Sequence, residues 1–365
     1  MSAVCDVDLV AHGTTSDAET IRDTAVAQPL LVAAGLVAQE SLGVGPTTVS
    51  IAAGHSVGEI TAAVVAGVLS TEQALVLVRE RGRAMAAAAS ITPTGMTAVL
   101  GGDPDDVAES LRSGGLTAAN INGAGQVVAA GTLDQLAALA ADPPAKARLR
   151  PLPVAGAFHT DHMLPAVDRL AALAAGMTIA DSRVRLLSNR DGAVLTGGRE
   201  TLDRLVDQVA TPVRWDACMA TLADLGVTGL LELSPAGTLT GLARRGLPGV
   251  ATFALSTPDQ LDDARDFVAD HAETAAPSHA APSWRLVVAP IKGTVSTVAH
   301  AVGTALAPGA LVGHVRSLRD AWDVVAPHGG RVVEWLVEDG DPVSPGQPLV
   351  RLHPSSDDGA TETAA

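Results

Sequence analysis

One stretch limits what this chain can fold into more than any other. Val49 to Ala53 is an apolar run that stops at Gly54; His55-Ser56-Val57-Gly58 follows, and Glu59 to Val68 is a helix-forming run. That order predicts a strand, a tight turn and a helix, with the serine at the turn. Glycines at 54 and 58 would let the backbone turn sharply and let strand and helix approach closely. The turn lifts the Ser56 hydroxyl out of the sheet. The helix start aims free N–H groups, Val57 among them, at any anion forming there. A glycine-flanked surface serine would spell the same five letters, but the strand before and the helix after favour a nucleophile.

The rest of the chain narrows the setting. At 365 residues there is room for about two or three domains. A hydrophobic fraction of 47% with 18% charged residues fits a globular protein with a substantial core. The net charge of −16 makes nucleic acid and acidic membrane surfaces poor partners. No apolar segment follows early basic residues, and no run approaches about 18 apolar residues, so neither export nor a membrane span is expected. Cys5 and Cys218 are too few for a disulfide framework or a zinc site, which points to the cytoplasm and to no bound metal.

Before the elbow, a short polar start leads into a helix from about residue 21 to 39, with a break or kink near Pro29. After it, the spacing predicts a helix over about 71–88. Its apolar stripe is Ala74, Leu77, Val78 and Met85, and Arg81 falls inside that stripe, while Arg79 and Arg83 lie on the opposite, solvated side. A guanidinium on a buried face needs an anionic partner. Either an internal acid supplies it, or a substrate brings the carboxylate, which arginine grips with two parallel hydrogen bonds.

From 97 to 154 the order becomes β-α-β-β-α-β, with a hairpin at Asn122-Gly123-Ala124-Gly125. This reads as a ferredoxin-like insert over about 95–155. Next come two candidate bases, His159 and His162, in Gly156-Ala157-Phe158-His159-Thr160-Asp161-His162. A loop histidine is often a bystander, but Ser56 requires a base, and that requirement raises His159. Helices over about 164–176, 201–210, 239–245 and 261–271, separated by strands near 183–187 and 229–233, predict an α/β core with a parallel sheet spanning 1–271. An Ala/Pro/Ser-rich linker covers 272–283. Beyond it, Ala289-Pro290-Ile291-Lys292-Gly293-Thr294-Val295 recurs as Ala326-Pro327-His328-Gly329-Gly330-Arg331-Val332, which suggests a small all-β sandwich of two similar halves over 284–353. The tail 354–365 reads as disordered.

Six segments occur in a fixed order: Gly54-His55-Ser56-Val57-Gly58-Glu59, Arg79-Glu80-Arg81-Gly82, Asn120-x-Asn122 with Gly125-Gln126, Gly156-Ala157-Phe158-His159, Pro212-Val213-x-Trp215, and Leu239-Thr240-Gly241-Leu242. Together they resemble the malonyl-CoA:acyl-carrier-protein transacylases and the acyltransferase domains of polyketide synthases, over about residues 5–271. The resemblance implies a hydrolase-like α/β core and a ping-pong transfer of malonyl from malonyl-CoA to acyl carrier protein. Ser56 would be the nucleophile, His159 its base, the Val57 N–H an oxyanion donor, and Arg81 the seat of the malonyl carboxylate. The segment around Gln208 would orient the histidine through a main-chain carbonyl, leaving Asp161 a bystander. Phe158 matches the malonyl-selective variant, since a bulky ring leaves little room for a 2-methyl branch. The carrier partner is usually acidic, and Arg79, Arg83, Arg214, Arg244 and Arg245 are candidates for a local basic patch.

Three departures stand out. The family opens with a strand ending in Gly-Gln-Gly, whose glutamine N–H forms half the oxyanion hole, and Met1 falls after that strand. The expectation is a start further upstream, with an in-frame Gly-Gln-Gly. Thr211 stands where the family often has Asn, and Ala236 where Gly is usual. The C-terminal repeat resembles the biotinyl/lipoyl carrier fold, but Arg319 falls at the position of the modified lysine, so no biotin or lipoyl attachment is expected. Two other readings compete. A serine esterase or thioesterase shares the elbow but gives Arg81 no role, and a catalytically weakened scaffold or binding protein would fit an unmodified carrier-like module.

Overall fold

The computed structural model describes residues 1–123, 125–154, 156–272, 285–317, 320–327 and 329–353. The chain separates into two compact units, Met1–Thr274 and Ala275–Ala365. The first is α/β and the second is all-β.

In the first unit, the strand before the elbow is short, Ile51–Ala52. It pairs in parallel with Arg185–Leu187, which pairs antiparallel with Val194–Leu195. Gly229–Glu232 pairs in parallel with Ala251–Ala254 as a separate two-stranded sheet. The expected parallel sheet is therefore present as two parallel pairs, with one antiparallel edge strand. Ala251–Ala254 was not anticipated: four residues with one large apolar side chain carry too little alternation to announce a strand.

Helices cover this core. Thr24–Leu42 buries Val32, Ala33 and Leu36 against the same cluster as Leu75, Leu77, Val78 and Met85 of Thr71–Ala89. Thr71–Ala89 starts at a reciprocal capping box, Ser70 with Gln73, which fixes its phase and sends Arg81 inward. Thr24–Leu42 is long and apolar enough to cross a membrane by length and composition, contrary to expectation. Here it is a core helix with Pro29 inside it. The start of the chain is helical as well, at Ser2–Cys5 and Leu9–Thr14, where a polar lead-in was expected. Cys5 is fully buried there, and Asp8 caps the second helix through the Ala11 N–H.

Between 94 and 151 the strands Thr94–Gly101, Thr117–Gly123, Gln126–Thr132 and Ala147–Pro151 alternate with helices Pro104–Ser113 and Leu133–Ala141. The last strand lies beside the first, the first beside the third, and the third beside the second, every neighbour antiparallel. Val213–Arg214 adds in parallel to Thr117–Gly123 and ties this sheet to the core.

In the second unit, two four-stranded sheets enclose Val295, Val312, Val315, Val324, Val332, Leu349, Val350 and Leu352. Gly293–Thr297 and Gly330–Trp335, the strands that begin at equivalent glycines within the two copies of the repeat, sit in different sheets. Arg319, the disordered-tail assignment at 354–365 and nearly all of the 272–283 linker lie outside the described residues.

Candidate active site

The elbow is built by close packing. A Cβ on Gly54 would lie 2.1 Å from the Gly58 carbonyl carbon, so only glycine lets the strand end touch the first turn of Gly58–Val65. The left-handed turn falls on Ser56 itself, at φ 52°, rather than on either glycine. Non-glycine residues pay for that conformation, and the surroundings hold it. The Ser56 N–H donates to Asn189 Oδ1 at 2.7 Å, and Asn189 Nδ2 donates to the Gly54 carbonyl at 2.7 Å.

His159, the second residue with a left-handed backbone in the site (φ 62°), is 3% exposed. Its Nε2 stands 2.7 Å from Ser56 Oγ. Its Nδ1 stands 2.8 Å from the Gln208 main-chain carbonyl, which can only accept. Nδ1 therefore carries the proton, and Nε2 faces the hydroxyl with its lone pair. Burial, reinforced by the nearby Arg81 charge, pushes the imidazole down to about 3. It is a neutral acceptor at ordinary pH. The Val57 N–H has no acceptor among the described residues. Asp161 begins a short 3-10 turn and is not joined to the histidine.

Arg81 is 2% exposed. Its Nη1 donates to Gln28 Oε1 at 2.5 Å, its Nη2 to Gln208 Oε1 at 2.9 Å, and the same Nη2 lies 3.3 Å from Ser56 Oγ. All three partners are neutral. Burial lowers the guanidinium to about 10, so it stays charged. The Glu59 carboxyl, 3% exposed, reaches it through Gln208, whose Nε2 donates to Glu59 Oε2. Burial pushes Glu59 up to about 8, against the hydrogen bonds and cations that favour its charge.

Phe158 is half-buried between the main core and the sheet of the insert. Its ring covers Gly156, where a Cβ would lie 2.8 Å from the ring edge. His55, beside the serine, joins Asn122 Oδ1 through Nε2 at 2.8 Å and packs its ring on Trp215.

Ser56, His159, Val57, Arg81 and Gln208 thus converge, and Phe158 precedes His159 with its ring over Gly156. Gln28, Glu59 and Asn189 were not anticipated as members of the site. Gln28 was legible as a polar residue within an apolar helical run, and Glu59 as the last residue of the elbow motif. Asn189 carried no local signal, since it meets the elbow from more than a hundred residues away. Two expectations fail. Arg79 and Arg83 are not free solvated cations: Arg79 pairs with Glu80 at 2.9 Å and donates to the Val4 carbonyl, and Arg83 pairs with Asp6 at 2.8 Å. Arg214 is likewise paired, with Asp216 at 2.9 Å. Of the five arginines considered for a basic patch, Arg244 and Arg245 alone have no carboxylate partner among the described residues.

A strained serine, a neutral imidazole and a guanidinium whose direct hydrogen-bond partners are all neutral stand together here. The family model for the acyl transferase domain matches residues 6–280. The chain belongs to the acyl transferase domain family. Malonyl CoA-acyl carrier protein transacylase of Mycobacterium tuberculosis is 51% identical over 265 residues, covering 72% of this chain and 88% of that protein. The Escherichia coli protein of the same name is 33% identical over 270 residues, 71% of this chain and 86% of its own. The crystal structure of MCAT from Mycobacterium tuberculosis superposes with a TM-score of 0.69 at 51% identity, over 72% of this chain and 88% of that one. A malonyl-transacylase solved with its type II PKS acyl-carrier protein matches at 30% identity and a TM-score of 0.67, over 73% of this chain and 88% of that one. The acyl transferase match stops before the strands of the second unit, which begin at Arg285.

Proposed function

We propose that this chain moves a malonyl group from malonyl-CoA to the phosphopantetheine thiol of acyl carrier protein, by way of a malonyl ester on Ser56. The observation that carries the reading is the buried Arg81 charge, 3.3 Å from Ser56 Oγ and surrounded by neutral partners. A substrate carboxylate beside the acyl carbon supplies the missing anion, and an acyl group without one leaves the guanidinium unpaired.

Ser56 Oγ attacks the thioester carbonyl while its proton passes to His159 Nε2. The Val57 N–H donates to the oxygen that gains charge. The tetrahedral adduct collapses, the C–S bond breaks, and the CoA sulfur leaves with the proton held by His159. In the second half the carrier thiol gives its proton to His159 Nε2, its sulfur attacks the ester carbonyl, and Ser56 leaves as the restored hydroxyl. The Gln208 carbonyl holds the imidazole tautomer through both halves. Phe158 over Gly156 narrows the space beside the malonyl C2. Arg244 and Arg245 are the cations we assign to the acidic carrier.

Incubation with radiolabelled malonyl-CoA tests this reading. Stable label on Ser56 supports transfer, release of free malonate supports an esterase, and no label supports a binding role. Ser56→Ala abolishes labelling. We read the insert at 94–151 as ferredoxin-like from its strand order, and the 284–353 unit as an unmodified biotinyl/lipoyl-like module used for docking or spacing. A positive streptavidin blot of the purified protein would overturn the latter. Cys5 and Cys218, both buried and free, and a core role for Thr24–Leu42 support the cytoplasm as its location.

A further inference from the structure

We propose that Glu59 is the positioning residue of the carboxylate pocket, fixing the Gln208 side-chain amide so that its oxygen, not its nitrogen, faces Arg81. The inference rests on the reading of Arg81 as the seat of the acyl carboxylate.

Glu59 stands in the first turn of Gly58–Val65, immediately after the elbow, with both carboxyl oxygens engaged. Oε1 accepts the Asn189 main-chain N–H at 3.1 Å, and Oε2 accepts Gln208 Nε2. Gln208 Nε2 also lies 3.2 Å from Asn189 Oδ1, the atom that holds the Ser56 N–H. The nitrogen end of the Gln208 amide therefore faces two acceptors, and its oxygen end is left for Arg81 Nη2 at 2.9 Å. A guanidinium has donors only. A reversed amide would set two donors against each other and push the cation away from Ser56.

A carboxylate accepts hydrogen bonds at both oxygens, as Glu59 does here, whereas an amide offers one oxygen and an NH2 that can only donate. Glu59→Gln keeps the shape but leaves either the Asn189 N–H or the Gln208 Nε2 facing a donor. The exchange removes no atom of the Ser56–His159 contact or of the Gln208 main-chain carbonyl that holds His159.

The test is single-turnover acylation of the full chain with labelled malonyl-CoA and acetyl-CoA. For Glu59→Gln we expect malonyl acylation to fall about tenfold and acetyl acylation to change less than about threefold, the size of one lost hydrogen bond to a charged group. A purely structural role would lower both together. Gln208→Met, which removes the amide, should show the same selective loss, and adding Glu59→Gln to it should cost nothing further in selectivity. Equal loss for both acyl groups, unchanged selectivity, or additive losses in the double variant would each overturn the inference. Melting temperature separates misfolding from loss of selectivity, and Gln208→Met supplies the test if Glu59→Gln fails to fold. If the unsubstituted protein takes no malonyl label, the proposed function fails; if it labels and Glu59→Gln keeps full selectivity, only this inference does.

Discussion

Arg81 Nη2 lies 3.3 Å from Ser56 Oγ, and among the described residues no carboxylate stands within ion-pair distance of that guanidinium. A buried cation is normally matched inside the protein. On the proposed function the match comes from the substrate, which would bring recognition and chemistry within a few ångströms of each other.

Removing the cation should therefore separate two substrates. Arg81→Ala should lower malonyl acylation of Ser56 by about 10- to 100-fold or more, the value of a charge-assisted pair, while acetyl labelling persists. Arg81→Lys should recover little, because an ammonium does not reproduce the planar fork that meets Gln28, Gln208 and an incoming carboxylate together. Labelling rates with the two thioesters check both statements.

His159 should leave a distinctive pH profile. A base must be unprotonated to act, and burial holds this imidazole at about 3, below its ordinary 6.5. The rate of malonyl acylation should stay level as pH falls through 6.5, declining only as pH approaches the folded value. An acid limb centred near 6.5 would contradict the burial-based assignment. His159→Ala should cost about 10²–10⁴ in rate at any pH.

Glu59 should also be visible in stability. Its folded value, about 8, is raised above the ordinary 4.5, so the folded state holds the proton more tightly than the unfolded chain. That contribution is complete below about pH 4.5 and is lost as pH rises through 8. The charged neighbours to reckon with are Arg81 and Arg204, together with the Cys218 thiol, which burial pushes up to about 12. Melting temperature should fall across pH 5–9, and Glu59→Gln should flatten that slope.

Phe158 offers a steric prediction. Its ring fills the space over Gly156, which the proposed function sets beside the acyl group. Phe158→Ser should raise methylmalonyl acylation relative to malonyl by about 10- to 200-fold, the range for one methyl group in a pocket. Competition between the two thioesters measures it.

Much of this was readable in the chain because its signals are local. Helix Leu261–His271 begins and ends where the pattern places it, and the second helix of the insert, Leu133–Ala141, starts behind a capping box of Thr132 and Gln135. Ser56 and Val57 were readable from the elbow, and Arg81 from its place in an apolar stripe. His159 needed the resemblance to be chosen firmly over His162. Asn189, Gln28 and Glu59 were not readable as a group, because what joins them is three-dimensional: Asn189 and Glu59 meet Gln208 beneath the elbow, and Gln28 reaches the site through Arg81. Ser2–Cys5 and Ala251–Ala254 escaped because elements of four residues hold less than one full period of any pattern.

Gln208 has a consequence for redesign. Its peptide oxygen holds His159, and its side chain holds Arg81. With the roles proposed for Arg81 and His159, shifting this segment to admit a longer diacid would also retune the base, and selectivity and turnover would not be independent settings. Broader acyl scope is better sought at Phe158, which has no part in the hydrogen bonds that align the reacting groups.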